Sequence, residues 1–137
     1  MEWKKEQFRI VDDSAEINID FVSSLLAETY WGDHRPRAII EQLIKNSLCF
    51  SLFSGQKQIG FARVATDYTV FSWIDDLVIA DAYRSQGLGE WLLDCILKHP
   101  SISQTQFVLQ TRSAYRLYEK FGFVVSDKLL TRMPPTK

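Results

Sequence analysis

The sequence predicts an α+β fold, an α/β sandwich in which a mixed, mostly antiparallel central sheet is flanked by about four helices. Three observations support this prediction. Several short stretches alternate apolar and polar residues or are continuously apolar, which is typical of strands. The stretches between them repeat apolar residues at three- and four-residue spacing, which is typical of helices. The resulting order, β-α-α-β-β-β-α-β-α-β, places antiparallel strands before strands joined by a helical crossover.

The first half of the chain predicts a strand, two helices and a hairpin. Residues 8–11 alternate and end at an acidic turn, which indicates a strand. Apolar spacing over residues 17–31 indicates a helix, and Pro36 suits the first turn of a second helix. Residues 48–53 and 59–66 flank a Ser-Gly turn and are predicted to pair as a hairpin.

The second half predicts three strands that alternate with two helices. Residues 70–79 and 106–111 have strand patterns, and residues 87–97 form a helix pattern between them. A second helix is expected to begin at a Ser113 cap and to stop at Gly122. The last strand is expected to begin at residues 123–125 and to pair with Leu129 and Leu130.

Composition excludes several classes of function. With 137 residues the chain is expected to form a single domain, residues 1–137, with a sizeable core. A net charge of -1 gives no indication of a nucleic-acid or membrane partner, and no apolar run approaches the roughly 20 residues of a membrane span. Cys49 and Cys95 lie in apolar segments outside any metal-binding motif, which predicts buried thiols, a cytoplasmic location and no metal.

The most informative stretch is Arg84-Ser85-Gln86-Gly87-Leu88-Gly89, between an apolar strand pattern and a helix pattern. A strand that turns through glycines into a helix directs several backbone N–H groups at one point. The helix dipole adds partial positive charge there, so the point suits a phosphate or diphosphate. By itself the pattern is equally consistent with a tight turn that binds nothing.

Two segments together resemble the GNAT acetyltransferases, the acetyl-CoA-dependent N-acetyltransferases. Residues 76–79 and 83–89 resemble that family's diphosphate loop, (Arg or Gln)-x-x-Gly-x-(Gly or Ala). Residues 114–123 resemble its Ala-x-x-Leu-Tyr-Glu-Lys-x-Gly-Phe segment. The predicted element order is similar to the GNAT fold as well. Residues 30–48 together with residues 58–64 resemble a subgroup of small bacterial members whose substrate is unassigned.

The resemblance implies that acetyl-CoA is the cosubstrate and that it lies where two neighbouring strands separate. Ser85, Asp81 and Thr111 depart from the residues most frequent in the family, which are glycine, proline and asparagine respectively. The implied cofactor-binding residues are Leu77, Val78, Ile79, Arg84, Ser85, Gln86, Gly87, Leu88, Gly89, Glu90, Thr111, Ala114 and Tyr118.

The implied reaction is direct transfer of acetyl from sulfur to an amine. Tyr118 matches the family's tyrosine and would protonate the leaving thiolate, since a phenol with a pKa of about 10 is protonated at neutral pH. The alternative is that Tyr118 only packs on the sheet, with Tyr115 as the second candidate. The backbone N–H of Leu77 or Val78 would stabilise the developing oxyanion.

The base is expected among the adjacent carboxylates Asp75 and Asp76. Strand alternation allows one of them to face a given cleft, and Asp75 is preferred because it would share a face with Trp73 and Leu77. The alternative is an aspartate that pairs with a surface lysine or caps a bulge. Glu28 and His34 lie in the helix–loop–helix region that forms the acceptor side in this family.

The acceptor is expected to be a small-molecule or peptide amine. Tyr30, Trp31 and Trp73 could form an aromatic wall that holds an amine by cation–π contact, although the same residues could be core. A homodimer is implied by the resemblance alone. The competing functions are an acyl-CoA sensor without turnover, a nucleotide binder, which the absence of GxGxxG and Gly-Lys-Ser/Thr disfavours, and a structural interaction domain.

Overall fold

One mixed sheet organises the part of the chain that the structure, a computed structural model, describes, namely residues 1–29 and 35–135. Its strands lie in chain order: β1 (Glu2–Lys5), β2 (Phe8–Val11), β3 (Leu48–Ser54), β4 (Lys57–Thr66), β5 (Phe71–Ile79) and β6 (Gln106–Val108). Pairing is antiparallel from β1 to β5, and β6 is parallel to β5. The helices are α1 (Ile19–Ala27), α2 (Arg37–Lys45), α3 (Leu88–Lys98) and α4 (Tyr115–Glu119). The predicted α+β class is confirmed.

The helices cover both faces of the sheet because each has one apolar face. On one side, Leu92, Leu93 and Ile96 of α3 are fully buried against a cluster that includes Phe50 and Ile10. On the other, α1 and α2 pack against Phe61 and Val78 through the buried residues Val22, Leu25, Leu26, Ile40 and Ile44. The layers are therefore helices, sheet and helix, as the sequence predicts.

Strand β1 is an element that the sequence pattern missed. Its residues, Glu-Trp-Lys-Lys, are mostly charged and exposed, so they carry no alternating apolar signal. It forms because Glu2 lies opposite Val11 and Lys5 opposite Phe8 in a tight antiparallel pair with β2. An edge strand can be this polar because only one of its sides has a partner strand.

The last predicted strand is wrong: no residue from 123 to 135 is in a strand. Val124, Val125 and Leu130 are 87%, 79% and 93% exposed. Strand β6 also stops at Val108, three residues before the predicted end. The chain then leaves the sheet to reach α4, so neither segment meets a ladder partner, and an apolar pattern without a partner is not a strand.

A β-bulge interrupts β5 near its middle. Phe61 pairs with Val78, but Arg63 pairs with Asp75, so Asp76 and Leu77 together lie opposite Ala62. Asp76 adopts a φ of +55°, in the left-handed region that non-glycine residues rarely occupy.

The bulge changes which residues of β5 share a face. Ile74 and Leu77 both pack against the α3 side, whereas Val78 packs against α1 and α2. Asp75, the neighbour of Ile74, therefore lies on the face opposite to Leu77, and the expectation that these two share a face is wrong.

Strands β5 and β6 separate after only three residue pairs. Their register runs from Phe71 opposite Gln106 to Trp73 opposite Val108 and ends there, while β5 continues to Ile79. A gap therefore opens between the carboxyl half of β5 and the chain after β6.

In the described ranges no helix is long and apolar enough to cross a membrane.

Gly60 lies at a closely packed point of β4, on the face of the sheet that α3 covers. A Cβ added there would lie 2.9 Å from Ile79 Cδ1 and 3.2 Å from Leu52 Cβ. We expect Gly60→Ala to lower the free energy of unfolding by about 1–3 kcal/mol through overpacking. Urea denaturation measures the free energy of unfolding. Gly89→Ala is the control, because its Cβ would lie 4.0 Å from the nearest side-chain atom and should cause no overpacking. An equal effect in both variants would contradict the overpacking.

Candidate active site

The gap between β5 and the chain after β6 is a cavity of about 1110 Å³. Its wall on one side is residues 73–79 of β5, and on the other it is residues 109–114. The start of α3 lines it as well, and so do Glu28, Thr29 and Arg35. Tyr118 of α4 also lines it. Most of the residues predicted from the two motifs are thus brought to one cavity.

The start of α3 presents backbone donors to this cavity. Gly87 is the residue before the helix and has a φ of +79°. The first bond of the helix runs from Trp91 N–H to Gly87 O at 3.1 Å, so the N–H groups of Leu88, Gly89 and Glu90 are left for another acceptor. A Cβ on Gly87 would meet nothing within 4 Å, so lack of space does not explain the glycine. Glycine is needed there because its positive φ is unfavourable for other residues. The arrangement suits an anion.

The side chains of the loop mostly hold the loop itself. Arg84 donates from Nε to the Ile79 carbonyl oxygen at 2.8 Å and forms an ion pair with Asp81. Glu90 forms an ion pair with Lys120 at 2.8 Å, which joins α3 to the end of α4. The loop residues that line the cavity are Arg84, Ser85, Gly87, Leu88 and Gly89, whereas Gln86 and Glu90 do not line it. Any anion would therefore be bound mainly by the backbone.

Helix α4 places Tyr118 in the cavity wall. Tyr118 is half-buried and packs edge-on against Phe123, with ring centroids 5.7 Å apart. Thr111 Oγ1 accepts a hydrogen bond from Ala114 N–H at 3.0 Å, just before the helix. The predicted Ser113 cap is wrong, because the residue before the helix is Ala114 and no side chain caps it directly. Thr111 orders this turn as well as lining the cavity.

Asp75 and Asp76 are held by a shared arginine of β4. Arg63 donates from Nη2 to Asp75 Oδ2 and from Nε to Asp76 Oδ2, both at 2.9 Å. Arg35 Nη1 also reaches Asp76 Oδ2, at 2.8 Å. Asp76 N–H donates to Asp75 Oδ1 at 2.8 Å, so Asp75 does cap the bulge. Strict alternation would have separated these carboxylates; the bulge brings them to one partner.

The two carboxylates differ in their access to the cavity. The Asp75 side chain is 33% exposed, whereas that of Asp76 is fully buried. Asp76 Oδ1 has no hydrogen-bond partner among the described residues. Burial, together with the negative charge of Asp76, raises the pKa of Asp75 above its ordinary value, although the Asp76 N–H and Arg63 partly offset this. Of the two carboxylates, Asp75 is therefore the one that solvent in the cavity can reach.

Neither cysteine is available as a nucleophile. Both are free thiols and buried, as the sequence predicts. Burial raises the pKa of Cys49 to about 12 and that of Cys95 to about 11. Since the thiolate is the reactive form, these groups are inert at neutral pH. Within the described residues no group of three or more His, Cys, Asp or Glu could hold a metal ion.

The predicted acceptor residues are only partly within the described chain. Trp73 and Glu28 both line the cavity. Tyr30, Trp31 and His34 lie outside the described residues. The site predicted from the sequence did not include Arg63. The sequence feature that could have identified it is its charge within the otherwise apolar strand of residues 59–66.

Comparison with known proteins agrees with this geometry. The family model for the acetyltransferase (GNAT) domain matches residues 45–125, which is more than half of the chain. A crystal structure from Xanthomonas campestris pv. campestris, of a protein described as belonging to the gnat family, is 29% identical, with a TM-score of 0.88 over 93% of this chain and 94% of that one.

Two further relatives are more distant. A GNAT family acetyltransferase from Elizabethkingia anophelis, solved with acetyl-CoA bound, is 23% identical, with a TM-score of 0.69 over 90% of this chain and 80% of that one. A curated protein of Gibberella zeae, provisionally named an acetyltransferase, is 20% identical over 69% of this chain; the match spans 64% of its own length. The family match, the fold and the glycine-started helix beside the open strand pair agree: this chain belongs to the GNAT acetyltransferase family.

Proposed function

We propose that this protein is an N-acetyltransferase that moves the acetyl group of acetyl-CoA to a primary amine by direct attack in a ternary complex. One observation carries the proposal: a single cavity joins the donors at the start of α3 to the Asp75 carboxylate and the Tyr118 ring. The amine would be a small molecule or part of a peptide. A distant relative of the same fold was solved with acetyl-CoA bound, which supports this cosubstrate.

The residues present fit acetyl-CoA. The N–H groups of Leu88 and Gly89 would bind its diphosphate, because they line the cavity and have no partner within the helix. Beyond the point where β6 diverges, no strand of the described residues pairs with Leu77 to Ile79 on the side away from β4. Backbone groups there would pair with the amides of the pantetheine arm as a strand would. Side chains along this edge need only be apolar, as they are.

Three groups of this chain would serve the chemistry. The amine nitrogen forms a bond to the thioester carbonyl carbon, and the carbon–sulfur bond breaks. Asp75 accepts the proton that the amine loses, through a water molecule. The Tyr118 hydroxyl donates a proton to the departing sulfur, and a backbone N–H of Leu77 or Val78 stabilises the carbonyl oxygen as it gains charge. The products are an amide and free CoA thiol.

The less favoured alternative is a sensor or interaction domain of the same fold that binds acyl-CoA without turnover. It would require the same donors at α3 but neither a proton donor nor a base. Tyr118 and a carboxylate with a raised pKa both lie in the cavity wall. Turnover therefore explains more of the site than binding alone.

Acetyl-CoA should raise the melting temperature, because a ligand that binds only the folded state stabilises it, by about 2.7 kcal/mol at a hundredfold excess over Kd. ATP and NAD should not raise the melting temperature.

Gly87→Ala should reduce the increase in melting temperature that acetyl-CoA causes, because Gly87 sets the backbone angle at the start of α3. Gly55→Ala is the matched control, since both glycines have a positive φ and open space at Cβ, and each substitution should cost about 1–2 kcal/mol of stability. The absence of any shift at millimolar acetyl-CoA would contradict both the enzyme and the sensor.

Tyr118→Phe should lower kcat about 10²-fold, because it removes the proton donor while keeping the ring that packs on Phe123. Release of CoA thiol over a panel of amines measures it. Tyr115→Phe, on the same helix and 47% exposed, is the comparison. If Tyr115→Phe lost activity and Tyr118→Phe did not, the role would pass to Tyr115.

Asp75→Asn should remove the acidic limb of the kcat/KM profile and lower its plateau about 10²-fold. The base must be ionised, so wild-type activity should fall as pH decreases through the raised pKa of Asp75. Asp94→Asn, which alters an exposed ion pair with Lys98 on α3, is the control. An acidic limb that survived Asp75→Asn would assign the base elsewhere.

A further inference from the structure

Arg63 is the only described residue that contacts both carboxylates with its side chain. It reaches them from β4 through different nitrogens, Nη2 to Asp75 and Nε to Asp76, at 2.9 Å each. A third, longer contact, from Nη1 to Ser47 Oγ at 3.4 Å, fixes the far side of the guanidinium. Its side chain is only 12% exposed, so these bonds are largely shielded from water.

We propose that Arg63 is a positioning residue that holds the Asp75 carboxylate in one orientation at the cavity wall and keeps it ionised in the working pH range. The kinetic part of this inference rests on the proposed transferase function. The electrostatic part does not, because it concerns Asp75 in the protein without ligands.

The orientation follows from how each Asp75 oxygen is used. Oδ1 accepts from the Asp76 N–H of the bulge, and Oδ2 accepts from Arg63. Each bond fixes one oxygen, so together they fix the plane of the carboxylate. A planar guanidinium can donate to two carboxylates at once in a fixed geometry, which a single ammonium cannot do.

The charge balance around Asp75 explains why Arg63 matters for its ionisation. Burial and the adjacent Asp76 charge favour the protonated carboxyl, whereas Arg63 and the more remote Arg35 favour the ionised one. The other described charged residues that line the same cavity are Glu28 at the end of α1, Arg84 before α3 and Arg112 after β6. Asp76 forms ion pairs with both arginines, whereas within the described part of the chain Asp75 forms an ion pair with Arg63 alone.

Two variants separate the charge of Arg63 from its shape. Arg63→Gln removes the charge and keeps an amide donor, while Arg63→Lys keeps the charge and loses the two-pronged contact. Arg9→Gln is the matched control, because Arg9 is also a partly buried sheet arginine, on β2, with an ion pair to Glu16 and its guanidinium stacked on Phe53. The titration midpoint of the Asp75 side-chain carbon is read by NMR without ligand, with Asp75→Asn assigning the signal.

We expect Arg63→Gln to raise the Asp75 midpoint by about one pH unit, the lower end of the effect of a nearby opposite charge, because Asp75 is one-third exposed. The acidic limb of kcat/KM should move by the same amount. The signal of the Asp76 side-chain carbon is recorded in the same spectra, because Asp76 contacts the same arginine. Arg63→Lys should leave the Asp75 midpoint near that of the wild type but lower the plateau of kcat/KM about tenfold.

The inference is overturned if Arg63→Gln leaves the Asp75 midpoint within the range of the Arg9→Gln control. It is also overturned if Arg63→Lys keeps the wild-type plateau, and this variant decides the matter if Arg63→Gln does not fold. If Arg63→Gln lowered the melting temperature but left the Asp75 midpoint and the acidic limb of kcat/KM unchanged, the role of Arg63 would be purely structural, which would also overturn the inference. A wild type that acetylates no amine would overturn the proposed function, while the NMR titration would still test Arg63.

Discussion

The bulge in β5 is the constraint on which the site depends. It places two residues opposite one, forces Asp76 into a left-handed conformation and reverses the faces of all residues beyond it. That conformation is unfavourable for a non-glycine residue. It is held by the bonds that Asp76 accepts from Arg35 and Arg63 and by the one its N–H donates to Asp75. Remove the bulge, and the two carboxylates would point to opposite faces.

The early separation of β5 and β6 is the second feature on which the cavity depends. Parallel pairing of only three residues leaves most of the β5 edge without a partner strand, and an unpaired edge is a binding surface for an extended ligand. The glycine-started helix α3 stands at one end of this edge and the Asp75–Arg63 pair toward the other. An extended ligand bound along β5 would therefore have its anionic end and its reactive end fixed by different parts of one strand.

Much of this could be predicted, and the failures share a cause. The glycines, the Tyr118 segment and the apolar strands are local patterns, and their elements are confirmed. The strand predicted at residues 123–125 is equally apolar, yet Val124 is almost fully exposed, because a strand exists only where a partner lies. Conversely, the polar strand β1 forms because β2 offers it a partner. Arg63 stood out as a charge in an apolar strand, but its partners could not be named, since they depend on register.

By itself the sequence determined the α+β class, the turn into α3 and the chemical groups available, because helical spacing, glycine conformation and side-chain type are properties of short segments. Tertiary structure alone decided that Asp75 and Asp76 meet on Arg63, that Leu77 faces away from Asp75, and that β6 stops at Val108. These outcomes depend on strand register, which a single inserted residue shifts for every side chain that follows. Register is set by the pairing of distant segments, so no local pattern contains it.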